Sequence, residues 1–167
     1  LNCIEPIPIV IDRNKLAVGI TVKEMIPKNS RYNQMIIDAI TYLVNKYNAN
    51  IYIITHVHID NDGNKSREIL NKLPSEVKKD VKLIDENYSI GQLRNIYSQM
   101  YFNICTRLHS AIFSLSSETP AICIAYHGTK AQGVFELLNL EKYVVTQKNY
   151  NSKYLLELIS KIIDEND

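Results

Sequence analysis

The run NICTRLHSAIFSLSSETPAICIAYHGTK, Asn103 to Lys130, places Arg107, His109, His127 and Lys130 beside segments that read as buried strand and helix. Arginine and lysine suit anions, and histidine suits proton transfer near neutral pH. Arg107 and His109 fall in the first turn of a helix whose apolar stripe is Leu108, Ala111, Ile112 and Leu115, with Thr106 positioned to cap it. A cation is disfavoured there, because the helix N-terminus already carries partial positive charge, unless an anion faces it. Lys130 repeats the anomaly at the next helix, after the turn AYHGTK. Two such cations read as a clamp for a phosphate or carboxylate. The competing reading pairs Arg107 with a carboxylate of the chain and makes His109 a half-buried structural histidine. Spacing alone leaves both open.

The loop THVHIDNDGNKSREI invites a metal reading that its details oppose. His58, Asp60, Asp62, Gly63 and Ser66 fall at EF-hand-like places, but the twelfth is Ile69 rather than glutamate, and a strand precedes the loop. His56 and His58 lack a convincing third zinc ligand. The loop reads as a polar turn with His56 near a ligand crevice, no metal is expected, and activity should survive chelation. No Gly-rich phosphate loop or dinucleotide fingerprint occurs, and SLSSE lacks the strand–turn–helix setting of a nucleophile elbow.

Strand and helix alternate around these residues. Strands are expected at Leu16–Val22, Asn50–Thr55, Val81–Ile84, Tyr101–Thr106, Ala121–Ala125 and Tyr143–Val145. Helices are expected at Arg31–Tyr47, Lys65–Leu73, Ile90–Gln99 with Ser89 as cap, Leu108–Ser117, Ala131–Leu138 and Ser152–Ile163. Apolar strands alternating with helices imply a doubly wound, mostly parallel Rossmann-like sheet covered on both faces, with the first and fourth strands adjacent at its centre. Ligands of such sheets bind beyond the carboxyl ends of the strands. All four histidines fall there: His56 and His58 after the second strand, His109 after the fourth and His127 after the fifth, with Lys23 following the first.

Composition sets the outer bounds. The chain has 167 residues, 46% hydrophobic and 22% charged, with a net charge of +1. That balance opposes nucleic-acid or polybasic membrane-surface binding. No run reaches a membrane span, and no signal-peptide pattern opens the chain. Cys3, Cys105 and Cys123 have no metal spacing; the latter two read as buried small hydrophobes, consistent with a reducing cytoplasm. Residues 1–14, with Pro6 and Pro8, read as a linker or edge segment, and 15–167 as one Rossmann-like domain.

From Arg107 to Leu140, RLHSAIFSLSSETPAICIAYHGTKAQGVFELLNL closely resembles the C-terminal half of the polysaccharide pyruvyl transferases. GITVKE, IITHVHIDND and ENYSIGQLRNIYSQM extend the resemblance from about Lys15 onward. Lys23 stands where the family often has arginine, and family members carry an N-terminal Rossmann-like half that this chain lacks. The resemblance implies one half of a double-Rossmann, GT-B-like architecture. It also implies transfer of pyruvate from phosphoenolpyruvate to two hydroxyls of a sugar, forming a ketal on a cell-surface polysaccharide or its precursor. Phosphoenolpyruvate is then the donor substrate, with no separate cofactor, and the partners are a glycan or lipid-linked sugar and the missing N-terminal domain. His109 would be catalytic, and Arg107, Lys130, Lys23, His56 and Ser110 would bind substrate, in the cytoplasm or at the inner membrane face. The chain alone is expected to fold and bind donor weakly without turnover. The alternatives are a nucleotide-sugar-dependent, glycosyltransferase-like domain and a non-catalytic anion- or glycan-binding domain.

Overall fold

The strands carry so little polar surface that only a sheet covered on both faces can hold them. In the computed structural model, which describes residues 5–24, 30–126 and 128–165, they are β1 (Ala17–Thr21), β2 (Asn50–Ile54), β3 (Val81–Ile84), β4 (Phe102–Cys105), β5 (Ala121–Ile124) and β6 (Val144–Val145). All pair in parallel, in the order β3-β2-β1-β4-β5-β6. The strand order therefore reverses between β1 and β4, the switch point at which such sheets open a crevice. The expected adjacency of first and fourth strands holds.

The helices are α1 (Ser30–Tyr47), α2 (Asp62–Lys72), α3 (Ser75–Lys78), α4 (Ile90–Ser98), α5 (Leu108–Leu115), α6 (Lys130–Leu137) and α7 (Ser152–Asp164). Alternate strand residues serve different cores. Ile51 and Ile53 join Met35, Ile36 and Ile40 of α1 and Leu155 and Ile159 of α7, whereas Tyr52 and Ile54 join Leu93 and Ile96 of α4. Ser89 caps α4 in a full capping box with Gln92, as its spacing predicts. Residues 5–14 form no regular element, yet Ile11 is buried, Asp12 N donates to the Tyr52 hydroxyl at 2.9 Å, and Asn95 donates to the Glu5 carbonyl at 2.6 Å. No described helix is long and apolar enough to cross a membrane.

Three local differences from the expected elements have physical causes. Helix α2 begins three residues before Lys65, because Asn61 adopts left-handed φ 59° and turns the chain into the helix at Asp62. The one-turn helix α3, after Pro74, is too short to register as a periodicity. Thr106 does not cap α5: Arg107 is the N-cap, without a side-chain bond, and the Thr106 hydroxyl lies 2.9 Å from that of Tyr32.

Gly19 shows how tightly β1 and β4 approach. It pairs in register with Asn103, and a Cβ there would lie 1.9 Å from Asn103 Oδ1. Asn103 is held, since its amide donates to the Tyr97 carbonyl at 3.3 Å and to Ser114 Oγ at 2.8 Å. Gly19→Ala should therefore lower stability by about 1–3 kcal/mol, the usual cost of overpacking, read as a lower urea midpoint with an unchanged slope.

Candidate functional site

Residues at the carboxyl ends of β1, β2 and β4 meet around Arg107. Its Nε and one terminal nitrogen donate to the two oxygens of Asp62, both at 2.9 Å, and its other terminal nitrogen lies 2.8 Å from Asp60 Oδ2. Asp62 is fully buried in the first turn of α2, whereas the Asp60 side chain is 46% exposed. Burial works against the Arg107 charge, but the Asp62 and Asp60 carboxylates outweigh it and hold the guanidinium above its usual range. The anion that Arg107 demands is thus supplied within the chain.

Lys23, just beyond β1, reaches the same carboxylate, with Nζ 3.9 Å from Asp60 Oδ2 and 5.3 Å from the Tyr126 ring centroid. This contact bridges the β1 end to the turn that leads into α6. The support below is buried. Thr21 Oγ1 lies 2.9 Å from Ser110 Oγ and accepts from Thr106 N at 3.2 Å, and Ser110 donates to the Arg107 carbonyl at 2.6 Å. Ser110 is fully buried, so its hydroxyl fixes the Arg107 backbone rather than facing the crevice. Lys65, 1% exposed, pairs with Glu68 of its own helix at 2.7 Å and ties α2 to neighbouring segments through Asn33 at 3.2 Å and Glu24 at 3.7 Å.

The two histidines differ. His109, in the first turn of α5, is exposed and makes no hydrogen bond among the described residues. His56, after β2, is half-buried, with Nδ1 2.9 Å from the Tyr97 hydroxyl and its ring edge-on to Phe113. Burial first, then the Arg107 and His109 charges, pull its pKa down to about 4. Burial also raises the Tyr97 pKa, so both partners are neutral at pH 7.

A stability effect follows. Between pH 6.5 and 4 the unfolded chain protonates His56 while the folded chain does not, so acidification across that window should cost roughly 2–3 kcal/mol. Above pH 6.5 His56 contributes no slope. In His56→Gln this component should vanish from the difference between urea melts at pH 7 and pH 4.5; an unchanged difference would assign the acid sensitivity elsewhere.

Lys130 opens α6 at the same sheet edge, exposed and without an ion pair among the described residues. A cavity of about 290 Å³ lies beside it, lined by Thr129, Gln132, Thr146 and Lys148. Two others, of about 250 and 340 Å³, sit at the opposite end of the strands, away from Lys23, Arg107, Lys130 and the histidines. His127 lies outside the described residues. No group of three or more His, Cys, Asp or Glu able to hold a metal occurs among the described residues. Cys105 and Cys123 are buried on adjacent strands, their thiols pushed up to about 12 by burial, which leaves them unreactive.

Sequence reasoning brought Lys23, His56, Arg107, His109 and Lys130 to one sheet edge, but it weighed Asp60 and Asp62 only as metal ligands and not as the partners of Arg107. The available signal was a pair of acids just past one strand end, with an arginine at a helix start past another strand, where a cation needs an anion.

The sheet order and the crevice at its switch point define a Rossmann-like domain of the kind found in GT-B-like folds. Solved structures of similar fold include a UDP-GlcNAc 2-epimerase from Methanocaldococcus jannaschii, at 14% identity and TM-score 0.63, covering 90% of this chain and 39% of that one. A mutant O-GlcNAc transferase from Thermobaculum terrenum aligns at 12% identity and TM-score 0.56, covering 99% of this chain and 33% of that one. The chain thus spans about two-fifths or less of the length of either. No curated protein matches it in sequence. The family model for polysaccharide pyruvyl transferase matches residues 5–128, well over half of the chain, which therefore belongs to that family. The match includes Lys23, His56, Arg107 and His109 and ends just before Lys130.

Proposed function

We propose that this domain carries the donor site of an enzyme that moves pyruvate from phosphoenolpyruvate to a sugar of a cell-surface polysaccharide or its precursor. The observation that carries the reading is the convergence of Lys23, Arg107, His56 and His109 at the sheet's switch point, in a chain of this family. Phosphoenolpyruvate bears a phosphate and a carboxylate; Lys130, exposed and without an ion pair among the described residues, supplies positive charge for them, and Arg107 and Lys23 add theirs where Asp60 yields to the ligand. Ketal formation adds one proton to C3 of the enol, joins two sugar oxygens to C2 and releases phosphate. One hydroxyl proton replaces the proton consumed at C3, and the other leaves with phosphate. His109, exposed at the crevice, carries the proton between hydroxyl and C3. His56, uncharged at neutral pH, serves as a hydrogen-bonding group toward the donor.

The test uses the protein that contains this chain, phosphoenolpyruvate and a panel of lipid-linked glycans. Phosphate release matched by an acid-labile pyruvate ketal on one glycan is expected. A nucleotide sugar is the control donor. Transfer from it, with none from phosphoenolpyruvate, would replace this reading with a glycosyltransferase-like one. Donor binding without any transfer would leave a non-catalytic domain.

A further inference from the structure

Asp60 and Asp62 hold the same guanidinium in different ways. Asp62 is fully buried, takes two bonds from Arg107 and lies 3.4 Å from Glu24 N, so it belongs to the fold. Asp60 is nearly half exposed and sits between Val57–Ile59 and the left-handed Asn61, with Ile59 itself 95% exposed. Residues 58–61 form a turn that leads into α2. Among the described residues, only Arg107, at 2.8 Å, and Lys23, at 3.9 Å, hold the Asp60 carboxylate.

We propose that the position of the Asp60 carboxylate between Arg107 and Lys23 is a carboxylate subsite, occupied by the chain itself until a ligand's carboxylate displaces it. The proposal rests on the donor reading for the ligand's identity and adds which end of the donor goes where. Charge decides the class of ligand. With Asp62 fixed against Arg107, removing Asp60 leaves one net positive charge from Arg107, Lys23 and Asp62. A carboxylate monoanion restores the balance that Asp60 provided. A phosphate dianion would add an excess negative charge beside a buried carboxylate that cannot move away. His56 adds no charge at neutral pH. The donor's phosphate is therefore directed elsewhere along the edge.

The test titrates pyruvate, and separately inorganic phosphate, into the chain as wild type, Asp60→Asn and Glu86→Gln. Glu86 is an exposed acid just past β3 and serves as a control for loss of one negative charge. Asp60→Asn should bind pyruvate about fivefold tighter, the worth of removing one partly exposed competing ion pair. Its gain for phosphate should be smaller. Glu86→Gln should change pyruvate affinity by less than about twofold, because separated exposed charges are screened. Unchanged or weaker pyruvate binding by Asp60→Asn overturns the subsite, as do equal gains for the two variants or for the two anions. Phosphoenolpyruvate measured on the same samples separates the failures. If it binds while the Asp60 dependence is missing, only the subsite falls; if no variant binds any of the three anions, the donor reading falls with it.

Discussion

His109→Gln in the protein that carries this chain is expected to lower turnover by roughly 10²–10⁴, the scale of general acid–base catalysis, while folding and phosphoenolpyruvate affinity hold. Glutamine keeps a hydrogen-bonding group of similar reach but cannot exchange protons near neutrality. The imidazole is exposed and is not the cap of α5, so its loss removes no packing and no described hydrogen bond. Melting temperature should therefore stay where it is. Lys130→Ala should differ by weakening donor binding as well, because it removes a charge facing the anion. A stable His109→Gln protein that keeps more than about a tenth of the rate would remove His109 from proton transfer.

Asp62→Asn should be the most damaging change to the domain itself, costing about 3 kcal/mol. Breaking a buried charge pair from one side leaves the partner's charge uncompensated, which typically costs 3–5 kcal/mol. The lower end applies, since Arg107 is 13% exposed and keeps Asp60. Asparagine is nearly isosteric but offers only one acceptor oxygen to a bidentate arginine. Replacing both partners, with Asp62→Leu and Arg107→Met, should recover much of the stability and none of the donor binding. Urea melts of the single and double variants measure this. A loss below about 1 kcal/mol in Asp62→Asn would mean that the pair is no more than a surface ion pair.

The fold was legible because its strands are apolar along nearly their whole length and alternate with amphipathic helices. Ile51 to Ile54 reads as a strand buried on both faces, and it is one. The doubly wound strand order, which reverses beside the first strand, then made β1 and β4 neighbours. The same logic brought Lys23, His56 and Arg107 to one edge, since each follows a strand. Long-range pairing was not legible. Asp62 lies 45 residues from Arg107, and no local pattern marks them as partners. The run DNDGN resembles a turn, and Asn61 in a left-handed conformation moves the helix start to Asp62, aiming that carboxylate inward. Thr106 has the sequence position of a cap, but Tyr32, 74 residues away, occupies its hydroxyl. Gly19 looks like an ordinary weak point in a strand until Asn103 lies beside it.

Phosphoenolpyruvate binding, mapped by amide and histidine ring shifts in this chain, most directly tests whether the cations and histidines form one donor site. Saturable shifts should appear together at Lys23, His56, Asp60, Arg107 and His109, while Arg13, Lys15 and Gln99, which line the cavity at the opposite sheet edge, stay unmoved. Shifts centred on that opposite cavity, or none at millimolar ligand, would contradict the assignment.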